Sequence, residues 1–310
     1  MKKRVLGKTG IEISELGYGC AALFGKNIIG KQGLSEEDSL KIIRIALEQG
    51  VNFFDTGFNY GYAEERLGRC LSSLFKNNIT NRENIIIETK FGETLNSDGS
   101  YGPYDWSSDW MKKSVEISLK RMNVDYIDLL AMHGGNSQNC SDELLKTFED
   151  LKTQGIIRAY GVNSFDDEFL NWICKNQCFD YVMLDYNILK QEREDIIQKL
   201  DEAGIGVLAG MALGQSLFSK KKIKNRNDLW YFLRAFAHFR DNMKKSKNFR
   251  FLTEQKGYSG NQLALRYVLD NPHISSAVFN TICIEHLIDD LGAADIIMPE
   301  EIRKQIKKRA

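Results

Sequence analysis

GVNFFDTGFNYGYAEERLG, residues 50–68, holds a strand, a polar exit and the start of a helix, and the reading of that unit decides the fold. Val51, Phe53 and Phe54 form an apolar, strand-favouring run that stops at Asp55-Thr56-Gly57, so the strand leaves the core where the first charge appears. Over residues 62–75, Leu67, Leu71 and Leu74 recur at helical spacing behind Glu64 and Glu65. Acidic side chains in a first turn suit the positive end of a helix dipole. Asp55 and Tyr60 sit in the loop between the two elements.

The unit repeats along the chain. Before it, residues 16–19 form a candidate strand, and Ser35 with Asp38 makes a capping signature ahead of Leu40, Ile43 and Leu47. After it, Ile85-Ile86-Ile87 leads through Glu88-Thr89 to Lys90. Residues 92–106 read as a polar and aromatic loop, Val115, Leu119 and Met122 mark a helix, and residues 126–132 form a strand that ends at His133. A helix carrying Leu144, Leu145, Phe148 and Leu151 precedes a strand at 156–162, which exits through Asn163-Ser164 before Asp166 caps the next helix. Strands at 181–184 and 205–209 flank a helix near 196–200. A last strand at 275–278 lies between a helix with Leu263, Tyr267 and Val268 and one around 286–291.

Eight alternations, with most strand starts roughly 25 to 40 residues apart, are the pattern of βα units joined by right-handed crossovers. An α/β fold of the closed (β/α)8 TIM barrel type fits best, with an N-terminal β-hairpin turning at Gly7-Lys8-Thr9-Gly10. A doubly wound sheet would need a G-x-G-x-x-G phosphate loop after an early strand, and Gly17-Tyr18-Gly19 does not supply one. No linker-like stretch interrupts the pattern, so residues 1–310 read as a single barrel domain.

Lys and Arg total 42 against 42 Asp and Glu, a balance that offers nothing to a polyanion, so nucleic acid is not an expected partner. The six cysteines (20, 70, 140, 174, 178, 283) follow no CxxC or framework spacing, as expected of reduced thiols in the cytoplasm. No apolar run reaches the ~18 residues of a membrane span, and MKKRVLGKTGIEIS lacks the apolar core of a signal peptide. The reading is of a protein without a membrane partner.

Asp55, Lys90 and His133 close the second, third and fourth strands, with Tyr60 just beyond the first of them. The carboxyl ends of barrel strands converge on one face, where groups distant in sequence meet. Singly, Asp55 could be a cap, Lys90 a solvated strand end and His133 a core imidazole. At equivalent ends of adjacent strands, they point together to a site.

These positions resemble those of the aldo-keto reductase family over nearly the whole chain. VLGKTGIEISELGYG is similar to that family's opening hairpin and first strand, residues 50–68 to its signature, and LKRMNVDYIDLLAMH to its fourth helix-strand unit. The resemblance implies a (β/α)8 barrel that binds NADPH or NADH, with Asp55, Tyr60, Lys90 and His133 as the catalytic quartet. Reducing a carbonyl with a nicotinamide puts negative charge on oxygen, which calls for a proton donor and a polarising group there. Tyr60 is the expected donor. Lys90 is the cation that makes its phenol more acidic, Asp55 the partner that keeps Lys90 charged, and His133 the group that orients the carbonyl.

Further positions carry the cofactor expectation. Gly19 ends the first strand. Asn163 and Ser164 leave the fifth strand in the reverse of the family's usual Ser-Asn order, Met183 stands where a glutamine is common, and Gly210 and Met211 stand where an aromatic often covers the nicotinamide. Asn280, Thr281, His286 and Asp290 occupy positions where NADPH-favouring members often show Lys, Ser, Arg and Asn, which weakens a 2'-phosphate clamp and leaves NADH open. Phe24, Phe58, Tyr104 and Trp106, with Tyr101 and Trp230, are candidates to line the substrate entrance. Residues 215–250 are rich in Lys and Arg, read as a solvated face or as a contact for pyrophosphate or an anionic substrate.

The leading functional reading is an oxidoreductase interconverting a small carbonyl compound, sugar-like ones included, and its alcohol. The altered cofactor positions keep two others open: a barrel serving as a partner or regulatory subunit, and a redox-neutral enzyme reusing the quartet.

Overall fold

The computed structural model describes residues 1–23, 34–96, 98, 100–214 and 240–309. Apolar strand residues and amphipathic helices arrange themselves as the alternation predicts. Eight parallel strands close a barrel: β3 (Leu16–Gly19), β4 (Phe53–Asp55), β5 (Ile86–Phe91), β8 (Ile127–His133), β9 (Ile157–Asn163), β10 (Tyr181–Asp185), β11 (Gly206–Gly210) and β12 (Ser276–Phe279). The fold is the (β/α)8 barrel expected, with the hairpin of β1 (Lys3–Val5) and β2 (Glu12–Ser14) before it.

Strand alternation divides the core in two. Side chains of one parity point outward to the helices, in a layer that includes Ile87, Leu130, Phe148, Leu184 and Leu265. Those of the other parity fill the barrel with Phe53, Ile86, Leu129, Tyr181, Met183 and Leu208. The hairpin stoppers the amino end: Leu6, Ile11 and Ile13 join the inner cluster, and Arg4 Nη1 donates to the Ile274 carbonyl at 2.6 Å.

Several helix starts follow the capping chemistry. Ser35 accepts from Asp38 N ahead of the helix Glu36–Glu48, and Asp166 accepts from Phe169 N ahead of Asp167–Asn176. Gly68 brings the helix Ala63–Lys76 against the end of Ser108–Met122, because a side chain there would run into the Met122 backbone.

Two elements depart from the sequence reading. Residues 92–106 are not all loop: β6 (Glu93–Leu95) and β7 (Tyr101–Tyr104) pair as an antiparallel hairpin over the barrel mouth. A final helix, Glu300–Lys307, buries Ile302 and Ile306, spaced one turn apart behind two acidic first-turn residues.

Candidate active site

The loop after β4 is an extension of the sheet. Thr56 N donates to the Glu88 carbonyl at 2.8 Å and Phe58 N to the Lys90 carbonyl at 3.1 Å, so Asp55 to Phe58 runs along β5 before Tyr60 N turns back to Gly57 O. Beneath the loop, buried Glu64 accepts from Thr89 Oγ1 at 2.7 Å and from Arg121 Nη1 at 2.9 Å, and Arg121 also donates to the Phe58 carbonyl. This anchor fixes where Tyr60 can stand.

The three residues singled out at strand ends and Tyr60 from the loop are brought together. Lys90, 2% exposed, donates to Asp55 Oδ1 and, at 2.7 Å, to the Thr56 carbonyl. Its ammonium lies 5.3 Å from the centre of the Tyr60 ring, and that ring meets His133 edge to face at 5.9 Å. Burial alone would push the Lys90 ammonium down, but Asp55, and then Tyr60 and Glu88, outweigh it and hold the lysine charged. Burial pushes the Tyr60 phenol up to about 12, against the pull of Lys90. Burial, aided by Lys90, pushes His133 down to about 3, so its imidazole is neutral at physiological pH. The arrangement offers a phenol beside a fixed cation and a neutral ring able to donate or accept.

Around this centre, Asn163, Ser164, Met183 and Gly210 gather on neighbouring strands. Asn163 Nδ2 donates to the Met183 carbonyl at 3.4 Å, and Ser164 N to the same oxygen at 3.0 Å. A side chain on Gly210 would press on the Met183 thioether, so the two share one spot in the wall. Met211, the next residue, is 40% exposed and has φ +55°, a left-handed backbone that costs a non-glycine residue about 1 kcal/mol. Gly19 stands in register with Asp55 and lies against Asn280, which is exposed. Thr281 accepts at its carbonyl from Tyr18 Oη at 2.8 Å, and His286 is exposed on the helix Ile284–Leu291.

The remaining candidates divide between packing and the site's rim. Asp290 is buried and accepts from Asn261 Nδ2 at 2.9 Å, tying that helix to Gly260–Leu269. Phe58 is 3% exposed, its ring packed edge-on against Trp110 and beneath the Arg121 guanidinium, which makes it part of the loop anchor. Tyr104 stacks on Trp106 at 4.9 Å from the β6–β7 hairpin, with Tyr104 half exposed and its hydroxyl within electrostatic reach of Tyr60. Phe24, Trp230 and the cations of residues 215–239 lie outside the described residues. A cavity of about 650 Å³, lined in part by Ile188, Leu189, Lys245, Phe249 and Lys307, contains none of the quartet.

Two groups escaped the sequence reading. Glu64 was visible there only as helix-start charge. Glu88 follows three isoleucines and precedes Lys90 by two, a period that places both side chains on the inner face of β5. No cluster of metal-ligating side chains occurs among the described residues, and no helix among them is long and apolar enough to cross a membrane.

The profile of a family described as "Aldo/keto reductase family" matches residues 15–309. The chain is similar to the solved aldo-keto reductase AKR11C1 from Bacillus halodurans in its holo form, at TM-score 0.79 and 26% identity, covering 100% of this chain and 96% of that one. It is 30% identical to the uncharacterized oxidoreductase YqkF of Bacillus subtilis (strain 168), over 98% of this chain and 95% of the relative. It is also 25% identical to L-galactose dehydrogenase of Arabidopsis thaliana, over 94% and 87%. With its closed barrel and the converging Asp55, Tyr60, Lys90 and His133, the chain belongs to the aldo/keto reductase family and is an NAD(P)-dependent oxidoreductase.

Proposed function

We propose that the protein interconverts an aldehyde or ketone and its alcohol, with Tyr60 moving the proton. The observation that carries this reading is the buried Lys90–Asp55 pair set 5.3 Å from the Tyr60 ring. In the reducing direction Tyr60 gives its proton to the carbonyl oxygen, and Lys90 stabilises the phenolate left behind. In the oxidising direction the same phenolate takes the hydroxyl proton. Asp55 holds the ammonium charged and aimed, and neutral His133 orients the substrate oxygen through a hydrogen bond. A nicotinamide nucleotide, when bound, supplies or accepts the hydride.

The residues around the quartet fit such a nucleotide. Gly19 and Gly210 bring backbone in place of side chains of their own to the wall, Met211 is exposed at the end of β11, and Asn163, Ser164, Asn280 and Thr281 bring neutral hydrogen-bonding groups. Asn280, Thr281 and His286 include no permanent cation, which supports comparable use of NADH and NADPH. The Tyr104–Trp106 stack offers a flat apolar face at the mouth, suited to a small carbonyl compound or alcohol, sugar-like ones included. Six free cysteines suit a reducing, cytoplasmic setting.

The test follows nicotinamide absorbance with NADH or NADPH and a panel of aldehydes, ketones and aldoses, for wild type and Tyr60→Phe. Wild type turns over, and the variant loses about 10²–10⁴-fold in kcat with nucleotide affinity retained. Absence of nucleotide-dependent turnover across the panel overturns the reading. Fluorescence titration giving about a hundredfold preference for NADPH, roughly 2.7 kcal/mol, overturns the nucleotide assignment alone.

A further inference from the structure

One buried ionisable group has no task in that mechanism. Glu88 is fully enclosed and shares the inner face of β5 with Lys90. It stands in register with Asp55 across the β4–β5 pairing, and the two carboxyl groups meet within hydrogen-bonding reach. From β10, three strands round the barrel, the Tyr181 hydroxyl donates to Glu88 Oε1 at 3.1 Å. Room for that phenol exists because β9 carries Gly161, where a side chain would run into the Tyr181 ring. Glu88 Oε2 has no donor among the described residues.

The charged and titratable groups facing Glu88 are Asp55 from β4, Lys90 of its own strand, Tyr60 from the loop and Tyr181 from β10. Cys20, after β3, and His133, at the end of β8, act on the Asp55–Lys90 pair beside it. Lys90 donates to Asp55 and to the Thr56 carbonyl, so the cation that faces both carboxyl groups is bonded to Asp55 and reaches Glu88 through charge alone. Two such groups in contact do not both ionise when they share one cation, and a proton on Glu88 satisfies its atoms. Oε1 then accepts from Tyr181, while the acid O–H donates to Asp55. Burial, opposed by Lys90 and aided by Asp55, pushes this acid up to about 8.

We propose that Glu88 is a positioning residue of the hydride-transfer site: as a neutral acid it donates to Asp55, ties the Asp55–Lys90 pair to Tyr181 across the barrel, and keeps the charge around Tyr60 balanced. The proposal rests on the function argued above. When Glu88 loses its proton to solvent, the cluster gains a negative charge that opposes phenolate on Tyr60. Tyr60 then becomes a weaker acid in reduction, and its phenolate becomes scarcer in oxidation.

Steady-state rates for wild type, Glu88→Gln and Glu88→Leu, taken from about pH 6 to about pH 10, read this role. Wild-type kcat falls as Glu88 ionises, about tenfold at one pH unit above its midpoint, while KM stays nearly constant. Glutamine keeps the donor and acceptor without the ionisation, so Glu88→Gln holds its kcat across that range. Glu88→Leu cannot donate to Asp55 and is slow at every pH. A Glu88→Gln profile that superimposes on wild type overturns the proposal.

Infrared difference spectra of wild type minus Glu88→Gln need no turnover. At neutral pH they show the C=O stretch of a protonated acid, lost on alkaline titration, and its absence at neutral pH also overturns the proposal. Turnover with an unchanged Glu88→Gln profile sinks this inference alone. The infrared band without any turnover leaves Glu88 as the donor to Asp55 and sinks the functional reading it serves.

Discussion

Replacing Lys90 with methionine removes the ammonium that is bonded to Asp55 and faces the Tyr60 ring, at little change in volume. With Nζ 5.3 Å from the centre of the Tyr60 ring, and an effective dielectric of about 20, the attraction between ammonium and phenolate is 332/(20 × 5.3), or ~3 kcal/mol. That is roughly two pKa units of lost phenol acidity, and about 10²-fold in a step whose barrier tracks proton transfer. Asp55 loses the ammonium it holds, so it no longer aims a cation at the reacting oxygen. Lys90→Met should therefore lower kcat by about 10²-fold or more while nucleotide affinity by fluorescence titration changes by less than about threefold. Retention of kcat within about threefold of wild type would refute the assignment of Lys90 as the group that tunes Tyr60.

Three further outcomes follow from the same geometry. Arg121→Met leaves the enclosed Glu64 carboxylate without its cation and should cost about 3–5 kcal/mol in urea unfolding, with a loss below about 1 kcal/mol counting against the anchor. His133 is pushed down to about 3 in the folded protein from 6.5, so the unfolded chain binds the extra proton between those values. Its contribution is present above about pH 6.5 and is lost as pH falls, with a slope approaching about 1.4 kcal/mol per pH unit. His133→Asn should flatten that acid limb in chemical unfolding at stepped pH, and an identical limb would exclude His133 as its source. Met211→Gly removes the side chain from a left-handed position, so stability should hold within about 1 kcal/mol while nucleotide binding weakens. A marked loss of stability would show that the thioether is needed for packing.

The barrel was legible because it is periodic. Most strands are short, largely apolar runs, several of them closing on a polar residue such as Asp55, His133, Asn163 or Asp185, and the helices repeat apolar residues about a turn apart, so local pattern orders the units. The β6–β7 hairpin was not legible, since Tyr101-Gly102-Pro103-Tyr104 lacks alternation and its pairing with Glu93–Leu95 is made across a turn. Convergence of Asp55, Tyr60, Lys90 and His133 followed from the closed sheet, which needs only the strand ends to be right. Phe58 and Asp290 illustrate the opposite case. Their residue types suit an entrance or a cofactor contact, but Trp110, Arg121 and Asn261 already engage them, and such partners are distant in sequence. Glu88 was hidden differently: its position two before Lys90 was visible, whereas the reach of Tyr181 from three strands away was not.

The hairpin that closes the amino end with Leu6, Ile11 and Ile13, above an interior already filled by side chains, leaves the carboxyl end of the strands as the face where a site can open. On the proposed function, two reactants must queue at the opposite mouth: whichever lies deeper enters first and departs last. Initial-rate patterns with both reactants varied are the readout of that queue: intersecting lines with one reactant competitive against its own product fit it, and parallel lines refute it.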